Sequence, residues 1–484
     1  MKLIGLIKNI PYTLIQGNVE VNIKNITNDS RKVEKDSLFV CIDGFESDGH
    51  DYVSQAIEKG AAALIVTKDV MVNSEITVIR VENARKALAL ASGKFYDYPS
   101  KKFALIGITG TNGKTSTVFL LDAILRKANK KTGIIGTIEN RIIDTVVSTE
   151  RTTPESVELQ ELFAKMVEHN VNKVIMEVSS HALDLDRVAG SYFDIGVFTN
   201  LSLDHLEYHK TMENYRDAKK KLFEMCKTGV INIDDQAGRY ILENSSCEAY
   251  ITYGCENDQA TLNATNIINK ITGTIFEVEI NGRKETIELQ TPGKFSVYNA
   301  LAAIATAIAL KIPVDTIIEA LKYNSRVRGR FETIESPEGY YAIVDYAHTP
   351  DGLENVLNTI RSFAEKRVIT VFGCGGDRDR SKRPEMGRIA GEMSDFAIIT
   401  SDNPRTEDPE SILKEIEVGI SPLKGEYIMI ADREEAINKA LSMAQNKDIV
   451  LIAGKGHEDY QIIGKTKIHF DDAEKVKEYI NKTN

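Results

Sequence analysis

The sequence predicts an α/β protein of three domains, and three observations carry that reading. Its 484 residues exceed what a single hydrophobic core organises. Short apolar runs of strand length alternate with helix-length spacers in two separate stretches, as mostly parallel sheets with crossover helices require. At Tyr96-Asp97-Tyr98-Pro99-Ser100, proline and polar residues interrupt the pattern and mark a boundary.

Residues 1–98 form the first expected unit, a small α/β domain closed by the alanine-rich helical pattern Ala84 to Lys94. Residues 99–330 follow with the apolar runs Gly133 to Ile138, Lys173 to Val178, Asp194 to Phe198 and Gly229 to Ile233, a mostly parallel sheet. Thr274 to Ile280 and Arg283 to Leu289 flank Asn281-Gly282, whose residues supply the positive φ angles of a two-residue hairpin turn. The central sheet should therefore carry a small antiparallel appendage. Residues 331–484 contain the runs Tyr341 to Val344, Arg367 to Phe372, Phe396 to Thr400, Tyr427 to Ile430 and Ile449 to Ala453, a Rossmann-like doubly wound domain. Several of these runs end in polar or glycine-rich turns, which should line one cleft beyond the strand C-termini.

Composition narrows the function classes. The chain is 42% hydrophobic and 27% charged, with a formal net charge of -11, so attraction to nucleic acid or an anionic membrane is not expected. Met1 to Tyr12 is broken by Lys2 and Lys8, too short an apolar stretch for a secretory signal. The most apolar segment, Ala300 to Leu310, is far below the roughly 20 residues that span a bilayer, so no membrane insertion is expected. The five cysteines, Cys41, Cys226, Cys247, Cys255 and Cys374, are odd in number and scattered, which argues against a disulfide framework or a zinc knuckle. A monomer in the reducing cytoplasm is expected.

The strongest chemical signal follows the apolar run Phe103 to Ile106. Residues 107 to 117 read Gly-Ile-Thr-Gly-Thr-Asn-Gly-Lys-Thr-Ser-Thr, a phosphate cradle. Glycines let backbone N–H groups of Gly110, Thr111, Asn112, Gly113 and the helix start through Ser116 converge on phosphate oxygens. Lys114 can reach terminal phosphates, and Thr115 can offer its hydroxyl to Mg²⁺. The spacing departs from the common motif, because Ile108 stands where a glycine is usual, six residues before Lys114. Glu177 ends the strand pattern Val174-Ile175-Met176 near this loop, the position of a Mg²⁺ ligand. Thr199 to His209 comes after another strand and sets Asp204-His205 on the same side. Lys219, on the helical pattern Met212 to Met225, shows no role by spacing alone.

These motifs, with Glu177-Val178-Ser179-Ser180-His181, Asp345-Tyr346-Ala347-His348-Thr349-Pro350 and Asp402-Asn403-Pro404-Arg405, resemble the Mur ligases over essentially the whole chain. The short cradle spacing is then a family mark. Within the family the sequence is most like the members that add the third residue of the peptidoglycan stem peptide. The resemblance implies a uridine-binding first domain, a P-loop ATPase-type centre and an amino-acid-binding third domain. It implies ATP, two Mg²⁺ sites and an acyl-phosphate route, adding meso-2,6-diaminopimelate to UDP-N-acetylmuramoyl-L-alanyl-D-glutamate. Lys219 matches the family's carbamylated lysine, a CO₂-derived carbamate that supports the second ion with His205 as companion. Arg330 matches a phosphate-contacting arginine, while Asn299, Asp345 and, in its motif, His348 fall at nucleotide positions. Ser30 in Asp29-Ser30-Arg31 and the loop Phe45 to His50 resemble the uridine site; Thr152, Thr153, Ser179 and Arg187 match positions around the sugar and peptide.

Asp402, Asn403, Pro404 and Arg405 would choose the amino acid. Diaminopimelate carries a distal ammonium and carboxylate, whereas lysine carries only the ammonium. Arg405 can grip that carboxylate bidentately, with Arg378 assisting. Glu458, in Gly454-Lys455-Gly456-His457-Glu458, can take an ammonium. Three other readings remain: the same reaction with L-lysine, a folylpolyglutamate synthase-like ligase, and a nucleotide-dependent switch or motor.

Overall fold

The computed structural model describes residues 1–45, 47–149, 151–323 and 327–483. The first sheet has five strands in the order Thr13–Gln16, Thr77–Arg80, Ala61–Val66, Ser37–Val40, Asn25–Thr27. All pair in parallel except Thr13–Gln16, which runs antiparallel to Thr77–Arg80. Ser37–Val40 is buried on both faces, as a strand between two apolar layers must be. The helix Ala84–Phe95 closes this unit, with the Asn83 side chain accepting from the Lys86 N–H at its start. Tyr98 follows in the left-handed region at φ 46, directly before Pro99.

The central sheet has eleven strands. Its parallel run is Ala249–Gly254, Cys226–Asn232, Phe193–Phe198, Ala104–Thr109, Lys173–Glu177, Thr132–Ile135. The expected hairpin is Gly273–Ile280 paired with Arg283–Leu289, and Asn281 and Gly282 both have positive φ, at 52 and 78. Leu262–Lys270 joins this appendage to the parallel run. The opposite edge carries a second antiparallel extension that the sequence reading lacks, Asn140–Ile142 and Thr145–Val147. Its strands are three residues each, too short to show a period of two. The expected run Gly133 to Ile138 stops at Ile135 because Gly136 and Thr137 turn toward Glu177. The expected helix Met212 to Met225 is a helix, Met212–Lys220, followed by a 3₁₀ turn, Lys221–Glu224.

Helix Lys294–Ala309 carries the apolar stretch singled out above, with Leu310 as its C-cap. It is buried inside the central core and packs along helix Lys114–Lys127. Among the described residues no helix is long and apolar enough to cross a membrane.

The third sheet runs Glu332–Glu335, Tyr341–Asp345, Ile449–Ala453, Val368–Phe372, Phe396–Ile399, Glu426–Met429, with only the first strand antiparallel. Val368–Phe372 and Ile449–Ala453 are buried throughout, between helical layers on both faces. One buried ion pair braces the strand ends: Arg433 meets Asp472 at 2.7 Å with both side chains at 0% exposure. The same guanidinium donates to the carbonyls of Ser401 at 3.2 Å and Ala453 at 3.0 Å. Arg433→Met would strand a buried carboxylate and two carbonyls, at an expected cost of about 3–5 kcal/mol in urea unfolding. A change below about 1 kcal/mol would show that the pair does not brace the domain.

Candidate active site

The cradle leaves the strand Ala104–Thr109 and enters the helix Lys114–Lys127. Gly110 and Gly113 have φ of 152 and 84, and neither tolerates a side chain. A Cβ on Gly110 would lie 1.8 Å from Thr199 Oγ1, and one on Gly113 would lie 2.3 Å from Asn299 Oδ1. The loop is pinned by Asn200, whose carbonyl accepts from the Thr111 N–H and whose side-chain oxygen accepts from the Asn112 N–H, both at 2.9 Å. Lys114 folds onto its own loop and donates to the carbonyls of Gly110 and Thr111 at 2.9 Å. Burial pulls its pKa down, against the opposing charge of Glu177.

Glu177, 1% exposed, stands at the end of its strand in a ring of donors. Thr115 Oγ1 donates to it at 3.0 Å, as does the Thr137 hydroxyl, and the Thr137 N–H at 2.9 Å. Arg330 Nη2 reaches Thr115 Oγ1 at 3.3 Å while its guanidinium lies 4.2 Å from the centre of the Tyr346 ring. A threonine hydroxyl and a carboxylate are the hard oxygen donors that Mg²⁺ takes. Their 3.0 Å separation is that of neighbouring ligands on an octahedron with bonds of about 2.1 Å, so the pair fits a magnesium ion.

Beside this pair lies a cluster of rings. His205 has a left-handed backbone at φ 56, and its ring sits 4.9 Å from that of His181 and 6.0 Å from that of Tyr215. His209 stacks on Tyr215 at 4.9 Å and bonds to Ser180 Oγ at 2.9 Å. Burial, then neighbouring positive charge, holds His181 down to about 4, and burial also brings His209 down to about 4. Burial lowers His205 as well, against the charge of Asp204. Neutral imidazoles with lone pairs result at pH 7.

Lys219 is 1% exposed on helix Met212–Lys220. Its ammonium lies 4.3 Å from the Tyr215 ring and makes no hydrogen bond or ion pair among the described residues. Burial, reinforced by the charge of Lys114, drives its pKa well below the usual lysine value. A neutral amine is the form that adds CO₂.

A cleft of about 570 Å³ brings together Lys114, Thr115, Glu177, His205, Arg330 and His348. Its wall also includes the cradle residues Thr111, Asn112, Gly113 and Ser116, the nucleotide candidates Asn299 and Asp345, and Thr152 and Ser179. Asp345 accepts from the N–H groups of Phe331 at 2.7 Å and Ala347 at 2.8 Å, so it shapes the hinge into the third domain. His348 Nδ1 donates to the Tyr346 carbonyl at 2.8 Å, leaving Nε2 with the lone pair.

Other sequence candidates lie outside that wall. Thr153 is buried, its hydroxyl donating to the Glu177 carbonyl at 2.8 Å and accepting from the Ser179 N–H at 3.1 Å. Arg187 holds the Thr153 carbonyl at 3.2 Å and pairs with Glu155 at 2.8 Å. Ser30 sits in the 3₁₀ turn Ser30–Lys32 of the first domain, opened by the Asp29 side chain. The loop from Phe45 to His50 reaches the ring cluster, since Phe45 meets Tyr208 edge-on at 6.0 Å; Glu46 lies outside the described residues.

The third domain gathers a second set. Arg405 Nη1 donates to the Gly376 carbonyl at 2.8 Å and has no carboxylate partner among the described residues. Arg378 is close enough that Arg405 lowers its pKa, after burial, while Glu207 of the central domain opposes the shift. Asn403 donates to Glu458 at 2.9 Å, and Asn403 Oδ1 accepts from the Ile462 N–H at 3.0 Å. Gly454 has φ 123, and a Cβ there would lie 2.6 Å from Asp402 Oδ2. The Pro404 carbonyl seats against Gly376, where a Cβ would come within 1.9 Å. Glu458 already has a cation, the buried Lys455 at 3.0 Å.

Sequence reasoning missed three residues that build these sites. Thr137 holds Glu177; its signal was Gly136-Thr137 directly after a strand. Asp351 accepts from Asn112 at 2.7 Å and Ser202 at 3.1 Å, tying the cradle to the third domain. In sequence it reads only as an acid in the first turn of helix Pro350–Arg361. Lys455, within Gly454-Lys455-Gly456-His457-Glu458, is buried and ion-paired with Glu458.

Comparisons with known proteins bear on the whole chain. Three family models match in order: "Mur ligase family, catalytic domain" over residues 22–96, "Mur ligase middle domain" over 108–307 and "Mur ligase, glutamate ligase domain" over 329–456. The UDP-N-acetylmuramoyl-L-alanyl-D-glutamate--2,6-diaminopimelate ligase of Caldanaerobacter subterraneus subsp. tengcongensis is 49% identical over 481 residues, covering 99% of each chain. The protein of the same name from Clostridioides difficile is 48% identical over 486 residues, covering 100% of each. A solved structure of a ligase of that name superposes with a TM-score of 0.73 at 30% identity, over 100% of this chain and 99% of its own. The MurF ligase of Thermotoga maritima in complex with ADP shares the fold, with a TM-score of 0.62 at 20% identity over 95% and 97% of the two chains. This chain belongs to the Mur ligase family.

Proposed function

We propose that the chain is an ATP-dependent ligase that joins meso-2,6-diaminopimelate to UDP-N-acetylmuramoyl-L-alanyl-D-glutamate in peptidoglycan precursor synthesis. Full-length relatives carrying that name at 49% and 48% identity support the reaction. The observation that carries the choice of amine is Arg405, a guanidinium with no carboxylate partner among the described residues, beside a second arginine, Arg378.

Residues 1–98 would hold the uridine end, with Ser30 and the Phe45 to His50 loop; 99–330 would bind ATP, and 331–484 the amino acid. Thr152, Thr153, Ser179 and Arg187 would seat the sugar and peptide. The D-glutamate γ-carboxylate attacks the γ-phosphorus; one P–O bond forms and the bond to ADP breaks. The amine then attacks the acyl carbon, phosphate leaves with the former carboxylate oxygen, and the amine's extra proton is released. Gly113 to Ser116 at the helix start supply converging N–H groups, those of Thr111 and Asn112 being taken by Asn200, and Lys114 and Arg330 bear on the charge that develops in transfer. Bound Mg²⁺ would neutralise phosphate charge, one ion held by Thr115 and Glu177 and a second by His205 with a carbamylated Lys219. Asn299, Asp345 and His348 would frame the nucleotide. On the amine side, Arg405 and Arg378 would take the distal carboxylate, while Asp402, Asn403, Pro404, Gly454 and Glu458 shape the pocket. We place the enzyme in the cytoplasm as a monomer.

Glu177→Gln keeps the shape of the side chain and removes its charge. It is expected to lower kcat roughly 100-fold and to raise the Mg²⁺ concentration needed for half-maximal rate. An unchanged Mg²⁺ dependence would remove Glu177 from the metal site.

A further inference from the structure

All five cysteines are free, yet two that are 21 positions apart in sequence meet in space. Cys226 begins the strand Cys226–Asn232 and Cys247 precedes the strand Ala249–Gly254. These strands are parallel neighbours with Thr228 opposite Ala249, so continuing the register by two residues sets Cys226 opposite Cys247. The Glu248 N–H to Lys227 carbonyl bond at 2.8 Å extends the ladder to that point. Adjacent strands lie about 4.8 Å apart, inside the Cα range that a disulfide bridges. The two sulfur atoms are 3.5 Å apart, and both residues are half-buried. Cys247 is flanked by exposed Ser246 and Glu248.

We propose that Cys247 and Cys226 form a reversible oxidation site, in which a peroxide converts the dithiol to an intramolecular disulfide. The Cys247 thiolate attacks one peroxide oxygen, the O–O bond breaks, and a sulfenic acid forms with release of hydroxide. Cys226 sulfur then displaces the sulfenic oxygen. Two thiols and one hydrogen peroxide give one disulfide and two waters. Electrostatics support the order of attack: the S–H of Cys226 stabilises a thiolate on Cys247, holding it down to about 7 against burial. In the reduced protein Cys247 Sγ also lies 3.3 Å from the Phe223 carbonyl. Among the described residues the remaining cysteines have no cysteine partner. Cys41 and Cys374 are buried, and burial pushes the thiols of Cys41, Cys255 and Cys374 up to about 12.

The site has a place in the molecule's chemistry. Cys226 follows the helix and turn that carry Lys219, and Lys220 Nζ already donates to the Asn244 carbonyl at 3.3 Å. A disulfide would fasten the end of that helix to the next crossover.

The test treats the native full-length protein with one equivalent of hydrogen peroxide, alkylates the surviving thiols and maps peptides by mass spectrometry. A linked peptide containing Cys226 and Cys247 is expected before any oxidation of Cys41, Cys255 or Cys374, and dithiothreitol should reverse it. In Cys226→Ser, a sulfenic acid on Cys247 trapped by dimedone is expected in place of the linked peptide. Full alkylation of both thiols after peroxide, or oxidation elsewhere first, would overturn the proposal. The wild-type experiment decides by itself if the variant fails to fold.

Discussion

Replacing Lys219 with alanine is expected to lower ligase turnover by at least about 100-fold while leaving the fold intact. The physical case starts from burial. An ammonium at 1% exposure, with no hydrogen bond or ion pair among the described residues and pressed by the charge of Lys114, is destabilised relative to the neutral amine. On the proposed reading the neutral amine would add CO₂, and the resulting carbamate would exchange a repelling cation for an anionic oxygen donor toward the second ion. Bicarbonate or a short carboxylic acid should partly restore the alanine variant, because either can place a carboxylate in the vacated space. Removal of CO₂ from the wild type should depress activity, and added bicarbonate should return it. A variant with wild-type rates, or one that no carboxylate rescues, would dismiss the carbamate.

Replacing Arg405 with alanine should lower kcat/KM for meso-diaminopimelate roughly 1,000-fold and change that for lysine little. The guanidinium is held by the Gly376 carbonyl at 2.8 Å and has no acid partner among the described residues, so its capacity for a bidentate contact is unspent. Lysine offers no carboxylate there and brings a positive charge toward two arginines. Arg405→Lys should not restore the lost activity, since a point charge lacks the planar fork. Equal losses for both amines would mean that Arg405 supports the pocket's shape and does not read the substrate.

The parts of this molecule that follow a short-range rule were legible in the sequence. The parallel strands appear as apolar runs, and the hairpin at Asn281-Gly282 appears because positive φ at both positions restricts residue choice. The cradle was legible for the same reason, as Gly110 and Gly113 admit no side chain. Glu177 could be placed at a strand end, but its ring of three donors could not, because Thr137 comes from the turn after another strand, 40 residues earlier. Asp351 was hidden more deeply, since its contact with Asn112 crosses 239 residues between two domains. Lys219 left a trace that went unused: helix Met212–Lys220 buries Tyr215, Ala218 and Lys219, so the lysine lies on the apolar stripe. A charged residue on such a stripe is the unusual observation. The cysteine pair shows the same limit, because register between strands is a long-range property that scattered cysteines do not announce.

The most direct test of the ligase reading is phosphate release by the purified protein with ATP, Mg²⁺ and UDP-N-acetylmuramoyl-L-alanyl-D-glutamate. Four parallel reactions would contain no amine, L-lysine, meso-diaminopimelate, or a folate with glutamate in place of the nucleotide substrate. Strong release with meso-diaminopimelate, weak release with lysine and almost none in the other two is the predicted result. Release that ignores the amine would contradict ligation and favour a nucleotide-driven switch or motor, release with folate and glutamate would favour the folylpolyglutamate reading, and preference for lysine would overturn the role given to Arg405.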